Sequence, residues 1–142
     1  MAARMTIMLP LAVALICLLQ TEPGMAAHSH IRKVLQLFRS IELDDSKKSF
    51  YLTAAKYGIQ TQLREPLVRF AGGFAPSTRL SEACVKNAIA RIYEIEGEFY
   101  AKFSYACENH DPYSVECLEE AQDDYPTKLG ELFKKTKKCL RE

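Results

Sequence analysis

The hydrophobic positions of this chain recur every three or four residues over four long segments, a pattern typical of amphipathic helices. The first predicted helix covers residues 29–41 and the second covers residues 46–64. Pro66 is predicted to disfavour helical geometry at Glu65 and to restart the chain as a short helix through Phe70. Helix three is predicted over residues 80–106. Helix four is predicted from the Asp111-Pro112 turn onward, with a break at Pro126 and Thr127 as the new N-cap.

The third helix has the widest apolar stripe, which predicts that it lies at the centre and packs against at least two other helices. Its stripe consists of Val85, Ala88, Ile89, Ile92, Ile95, Phe99, Phe103 and Ala106. The segment 71–79, which contains two glycines and a proline, is the clearest linker. The sequence therefore predicts an all-α bundle of four main helices in one domain, 27–142. N-terminal helices occupy 29–70, and a helical hairpin occupies 80–142.

Four cysteines in the C-terminal half constrain how this hairpin folds. Cys84 and Cys107 stand near the two ends of helix three, and Cys117 and Cys139 near the two ends of helix four. At 1.5 Å rise per residue each pair is separated by roughly 34 Å, far beyond the reach of a disulfide. Two antiparallel rods bring Cys107 to Cys117 at the turn and Cys84 to Cys139 at the open end. The predicted bridges are therefore Cys84–Cys139 and Cys107–Cys117.

The N-terminus has the order of a secretory signal peptide: Arg4, an apolar stretch from Thr6 to Leu19, and small residues at 24–27. Cleavage is expected after Ala26, or alternatively after Ala27, so residues 1–26 are assigned to the signal peptide. The apolar stretch is too short for a good membrane span, and no other stretch in the chain has the composition of one. A secreted, extracellular protein with persistent disulfides is expected. The net charge of +1 argues against a nucleic-acid partner.

Residues 107–111, Cys-Glu-Asn-His-Asp, resemble the Cys-x-x-His-Asp order of secreted phospholipases A2. The resemblance would imply a histidine that activates water, His110, and an aspartate that helps to hold Ca²⁺, Asp111. Pro112 follows at once, however, and Gly72-Gly73 is too far upstream to serve as the glycine-rich Ca²⁺ loop of that family. The preferred interpretation is that Asp111 caps helix four and that His110 lies in an exposed turn. No catalytic residue is therefore assigned.

Several surfaces have a functional interpretation beside a purely structural one. The basic end of helix four is a candidate docking surface for an anionic partner or lipid headgroups, although cations there also complement the helix dipole; it consists of Lys134, Lys135, Lys137 and Lys138. Aromatic residues of helix three are candidates for lining a ligand cavity, or else belong to an ordinary core: Tyr93, Phe99, Tyr100 and Phe103. The basic amphipathic first helix is expected to close the bundle rather than to lie on a membrane.

Metal binding has weaker support from the sequence, and no metal site or cofactor is assigned. The acidic half of helix four lacks the spacing of a Ca²⁺ loop and is expected to complement the helix dipole; it contains Glu116, Glu119, Glu120, Asp123 and Asp124. His28 and His30 would stand near a newly cleaved N-terminus, where a histidine can join the terminal amine in chelating Cu²⁺. Such a pattern also arises easily by chance.

These observations lead to a secreted, non-catalytic interaction protein that binds a macromolecular partner, as an effector, cytokine-like or toxin-like factor. The alternative is an extracellular carrier of lipids or other apolar small molecules in a helical cavity. A Ca²⁺-dependent phospholipase that uses His110 and Asp111 is a remote alternative. The sequence predicts neither the identity of the partner nor the oligomeric state.

Overall fold

The computed structural model describes residues 29–108 and 114–142, and these residues form four helical segments. The elements are α1 (29–38), α2 (Ser49–Ile59), α3 (Glu65–Gly72), α4 (Glu82–Cys107), α5 (Val115–Ala121) and α6 (Tyr125–Cys139). A π-helical turn, Gln60–Arg64, joins α2 to α3 without a break. An isolated antiparallel β-bridge pairs Leu80 with Arg141. The predicted all-α bundle is confirmed. The predicted signal peptide lies outside the described residues.

Pro66 does not interrupt the second segment, contrary to the prediction. Glu65 keeps helical angles, φ −61° and ψ −45°, and its N–H donates to the carbonyl of Gln60, five residues back. Proline in a regular α-helix clashes with the carbonyl four residues earlier and removes one hydrogen bond. A π turn takes one extra residue and shifts the acceptors by one position. The widened turn directly before Pro66 accommodates its ring, so helical structure continues to Gly72.

The predicted hairpin and both disulfides are confirmed. α4 is one uninterrupted helix of 26 residues, and the exposed Gly97 at its middle does not break it. Its N-terminus is capped by Ser81, whose side chain accepts from the N–H of Cys84 at 3.2 Å. Disulfides join Cys84 to Cys139, with Cα atoms 5.7 Å apart, and Cys107 to Cys117, with Cα atoms 5.4 Å apart.

The fourth segment is split, but its caps differ from those predicted. α5 begins at Val115 with Ser114 as N-cap residue, and the predicted cap Asp111 lies outside the described residues. A turn at 122–124 separates α5 from α6. α6 has Asp124 as its N-cap residue and Pro126 in its first turn, so Thr127 is not the cap. The proline occupies a first-turn position because the N–H that it lacks has no intrahelical partner there.

The core lies between α4 and the facing sides of α2, α3, α5 and α6. The apolar stripe of α4 is buried as predicted through Val85, Ile92 and Phe99, and α1 contributes Val34 and Phe38. Near the centre, the rings of Phe99 and Tyr125 stack with centroids 4.3 Å apart. The Tyr125 hydroxyl donates to the carbonyl of Ala55 at 2.7 Å, which ties α6 to α2. α4 is thus the central helix.

Candidate binding surfaces

The predicted cavity aromatics of α4 surround a tyrosine of α2. Phe99 and Phe103 are buried, and their ring centroids lie 4.9 Å and 5.0 Å from that of Tyr51. Tyr100 is half-buried, with its ring 5.1 Å from Tyr51. The ring of Tyr51 is fully buried and occupies the space that these three side chains enclose. A ligand at this position would have to displace it.

Tyr93 stands apart from the other three aromatics. Its side chain is on the exposed side of α4, and its hydroxyl accepts a hydrogen bond from the N–H of Glu42 at 2.9 Å. The same hydroxyl lies 3.4 Å from the carbonyl oxygen of Ser40, to which it donates. Tyr93 therefore fastens the segment between α1 and α2 to the central helix, and the structure does not bring it together with Phe99 and Phe103.

A buried carboxylate lies beside this aromatic cluster. Glu96 is 5% exposed, and its Oε1 accepts from the Tyr51 hydroxyl at 2.6 Å and from Lys47 Nζ at 2.9 Å. Lys47 Nζ also lies 4.2 Å from the ring centroid of Tyr100, within cation–π range. Burial, and then the hydrogen bond to Glu96, raise the pKa of Tyr51 far above its usual range. The carboxylate is satisfied by its two partners, as a buried charge requires.

Ion pairs connect the outer faces of α4 and α6. Lys102 Nζ lies 2.8 Å from Asp124 Oδ1, and Lys128 contacts both Glu98 and Asp124. The hydrogen bond from Lys128 lowers the pKa of Glu98, and the hydrogen bond from Lys102 lowers the pKa of Asp124. The other acidic residues predicted as a group on the fourth segment point to solvent: Glu116, Glu119, Glu120 and Asp123. Asp124 therefore has a structural role at the helix boundary.

An apolar groove opens where the segment after α1 meets α2 and the π turn, and we call it the α1–α2 groove. It measures about 270 Å³. Its floor is formed by Phe38, Ile41, Leu43 and Ile59, and its rim by Lys56, Gln60 and Arg64. Tyr57, one residue along from Lys56, is 64% exposed. The groove thus combines an apolar floor with two cations, and an exposed tyrosine follows Lys56 in the sequence of α2; tyrosine and arginine are both common at the centres of protein interfaces.

The predicted basic surface lies in the last two turns of α6 beside the end of α3, and we call it the basic end. It comprises Lys134, Lys135, Lys137 and Lys138; all are exposed except Lys137, which is half-buried. Three of these lysines line a shallow open cleft with Phe70 of α3. Lys137 Nζ lies 4.9 Å from the ring centroid of Phe133 and 5.9 Å from that of Phe70. The structure thus brings three of the four predicted lysines together beside Phe70, with Lys137 over the aromatic rings.

Of the three histidines, His30 lies in the described part of the chain. His30 Nε2 lies 2.9 Å from the carbonyl oxygen of Thr78, and its ring packs edge-on against Phe74. His28, His110 and Asp111 lie outside the described residues.

Within 29–108 and 114–142, no three His, Cys, Asp or Glu side chains are placed to hold a metal ion. No helix in those two ranges has both the length and the apolar character needed to cross a membrane.

Comparison with known proteins assigns this architecture to a family. The family model described as "Aegyptin, C-terminal domain" matches residues 25–140. The chain belongs to this family. The gSG7 salivary protein of Anopheles stephensi is 44% identical over 130 residues, which cover 92% of this chain and 92% of that protein. The gSG7 salivary protein of Anopheles freeborni is 44% identical over 114 residues, which cover 80% of this chain and 96% of that protein.

Two solved structures share the fold of this Aegyptin C-terminal domain protein. One is a mosquito complement inhibitor from Anopheles freeborni, with a TM-score of 0.74 and 43% identity over 81% of this chain and 97% of that one. The other is an anophensin from Anopheles stephensi, with a TM-score of 0.61 and 42% identity over 80% of this chain and 96% of that one. The relatives are salivary proteins, and the protein is accordingly secreted and extracellular, as predicted.

Two features of these surfaces were not predicted from the sequence: the buried carboxylate of Glu96 and the α1–α2 groove. Glu96 stands four residues after Ile92, on the apolar stripe of α4, and an acid at such a position signals a buried polar contact. The α1–α2 groove left no comparable signal, because its floor combines the segment after α1 with α2 and depends on how that segment folds back.

Proposed function

We propose that this protein inhibits complement by binding one of the complement proteins. The observation that carries the proposal is its similarity to the complement inhibitor from Anopheles freeborni, which extends over 97% of that chain with 43% identity. The function would be binding, in agreement with the interaction protein expected from the sequence.

We further propose the α1–α2 groove as the contact surface for this partner. Interfaces concentrate their binding energy in a few tyrosine, tryptophan and arginine side chains near apolar pockets. Arg64 stands on the rim of the groove, and Ile59 lies in its floor. Tyr57 is an exposed tyrosine on α2, next in sequence to the rim residue Lys56. α2 and the π turn are held firmly from behind, since Ala55 accepts the hydrogen bond from Tyr125. A rigid surface binds with a smaller loss of conformational entropy.

The test is complement-dependent lysis of red cells in serum, measured against increasing concentrations of the mature, disulfide-bonded protein. We expect lysis to fall as the protein concentration rises. The double variant Tyr57→Ala/Arg64→Gln should reach half-maximal inhibition only at about tenfold higher concentration. Tyr105→Ala is the matched control, because Tyr105 is also a highly exposed tyrosine (85%) but stands on α4. Absence of any inhibition would refute complement inhibition. Equal potency of the double variant and the wild type would refute only the assignment of the groove.

A further inference from the structure

The basic end is a group of like charges in the last turns of α6. From residue 134 to residue 141 every charged residue is a cation. None of its four lysines forms an ion pair with any residue in the described part of the chain. By contrast, four lysines elsewhere are paired with carboxylates: Lys33, Lys47, Lys102 and Lys128. A group of like charges without counter-ions attracts polyanions.

The backbone that carries the lysines is also held in place. Lys134, Lys137 and Lys138 follow the i, i+3, i+4 spacing that places side chains on one face of a helix. The helix that carries them is anchored directly after Lys138 by the Cys84–Cys139 disulfide. Beyond it, the carbonyl of Leu140 accepts from the N–H of Ser81 at 2.8 Å. The cations therefore stand on a rigid helix end, which lowers the entropic cost of binding a ligand.

The aromatic rings at the basic end lie closer to the core than the lysine ammonium groups do. Phe70 and Phe133 are partly buried against the core, and Lys137 extends over both rings. Proteins that lie on membranes insert exposed apolar side chains between the headgroups. The bulky apolar side chains of the basic end are these two rings, which are partly buried and lie beneath Lys137. This arrangement favours a soluble, flexible polyanion over a lipid surface.

We propose that the basic end binds sulfated glycosaminoglycan chains. These linear extracellular polysaccharides carry closely spaced sulfate and carboxylate groups, and a secreted protein encounters them at cell surfaces and in the matrix. Lysine ammonium groups act as point charges with freely rotating donors, which suits sulfates whose spacing varies along a chain. Binding would concentrate the protein near the surfaces where it is released. The proposal does not rest on complement inhibition, because it concerns a different surface.

The test measures binding of the full mature protein to immobilised heparin at several salt concentrations. We expect affinity to fall as salt rises, because bound cations release counter-ions from the polyanion. The triple variant Lys134→Gln/Lys137→Gln/Lys138→Gln should bind at least about tenfold more weakly at physiological salt. Its plot of log affinity against log salt should lose roughly one unit of slope for each lysine removed.

The matched control removes the same number of cations at exposed positions elsewhere on the surface, in Arg32→Gln/Arg39→Gln/Lys86→Gln. This protein should retain most of the wild-type affinity and slope. Equal losses in the two triple variants would show that only net charge matters and would overturn the site. Binding to vesicles of phosphatidylserine but not to heparin would overturn the choice of ligand. The basic-end variant should still inhibit complement lysis, so failure of one proposal is distinguishable from failure of the other.

Discussion

The ring of Tyr125 lies against the backbone of Gly58 so closely that a Cβ atom added to the glycine would stand 2.6 Å from Tyr125 Cε2. This ring cannot easily withdraw. Its hydroxyl is bonded to Ala55, and its face is stacked on Phe99. Gly58 is therefore a requirement of the contact between α2 and α6 and not a flexible point in the helix.

Replacing Gly58 with alanine should destabilise the protein, although alanine is the better helix former. The gain in helix propensity of about 1 kcal/mol is outweighed by the cost of overpacking, about 1–3 kcal/mol. Gly97→Ala is the matched control, since no atom lies within 4 Å of its added Cβ, and it should stabilise by about 1 kcal/mol. Urea unfolding measures both changes. A Gly58→Ala protein as stable as Gly97→Ala would show that the ring of Tyr125 moves aside.

Removing the hydroxyl of Tyr51 should leave the buried carboxylate of Glu96 with one fewer donor. Hydrogen bonds to charged groups contribute about 1.5–3 kcal/mol, so Tyr51→Phe should lower the free energy of unfolding by an amount in that range. Tyr93→Phe makes the same chemical change at an exposed site, where the hydroxyl accepts from Glu42. There the loss should be about 0.5 kcal/mol. Similar losses in the two variants, by chemical denaturation, would contradict the buried network.

The two disulfides should contribute unequally to stability. Cys84–Cys139 spans 55 positions and Cys107–Cys117 spans 10. In the chain-entropy model the outer bridge contributes about 4 kcal/mol and the inner one about 3 kcal/mol. Double serine variants of each pair, compared by urea unfolding, should rank in that order. A larger loss from removing the inner pair would indicate that strain or native contacts, and not loop closure, determine the effect.

Acid should weaken the contact between α4 and α6. Glu98 and Asp124 have folded-state pKa values below their ordinary values of 4.5 and 3.8. Their contribution is therefore fully present above those ordinary values, and it is lost as the pH falls through the lower folded-state values. The wild type should lose more thermal stability between pH 6 and pH 2, on the order of a few degrees, than Glu98→Gln/Asp124→Asn. Glu116→Gln/Asp123→Asn, at exposed positions, should behave like the wild type in a circular-dichroism melt.

The sequence was sufficient to predict the hairpin because its geometry follows from lengths. Once Cys84 and Cys107 stand at opposite ends of one rigid helix, they cannot reach each other. The turn is too short for parallel helices, which excludes Cys84–Cys117 with Cys107–Cys139, and the nested pairing remains. The burial of one face of α4 could also be predicted, because an apolar stripe of this width has to be covered by neighbouring helices. Helix length, cysteine spacing and the apolar stripe were thus enough to predict the topology of the C-terminal half.

Features that depend on packing between distant segments were not predictable. Tyr93 shares the helical spacing of its neighbours, but its position at the edge of the stripe is decided by the segment between α1 and α2 that it fastens. Tyr51 gave no sign that it fills the space between Phe99 and Phe103, because that depends on how α2 crosses α4. Pro66 was misread because local rules treat proline as a break, whereas the helix adapts by widening one turn.

That widened turn restricts how the chain can vary in length. A π turn holds one residue more than the regular helix on either side, so deletion of a single residue between 60 and 64 would restore a uniform α-helix. The same deletion would bring the ring of Pro66 against a carbonyl, while the residues after it would keep nearly the same faces, because the regular turn covers nearly the same rotation with one residue fewer. We therefore expect homologous chains that are one residue shorter here to lack the proline as well. The extra residue of the π turn and the proline should occur together in the family.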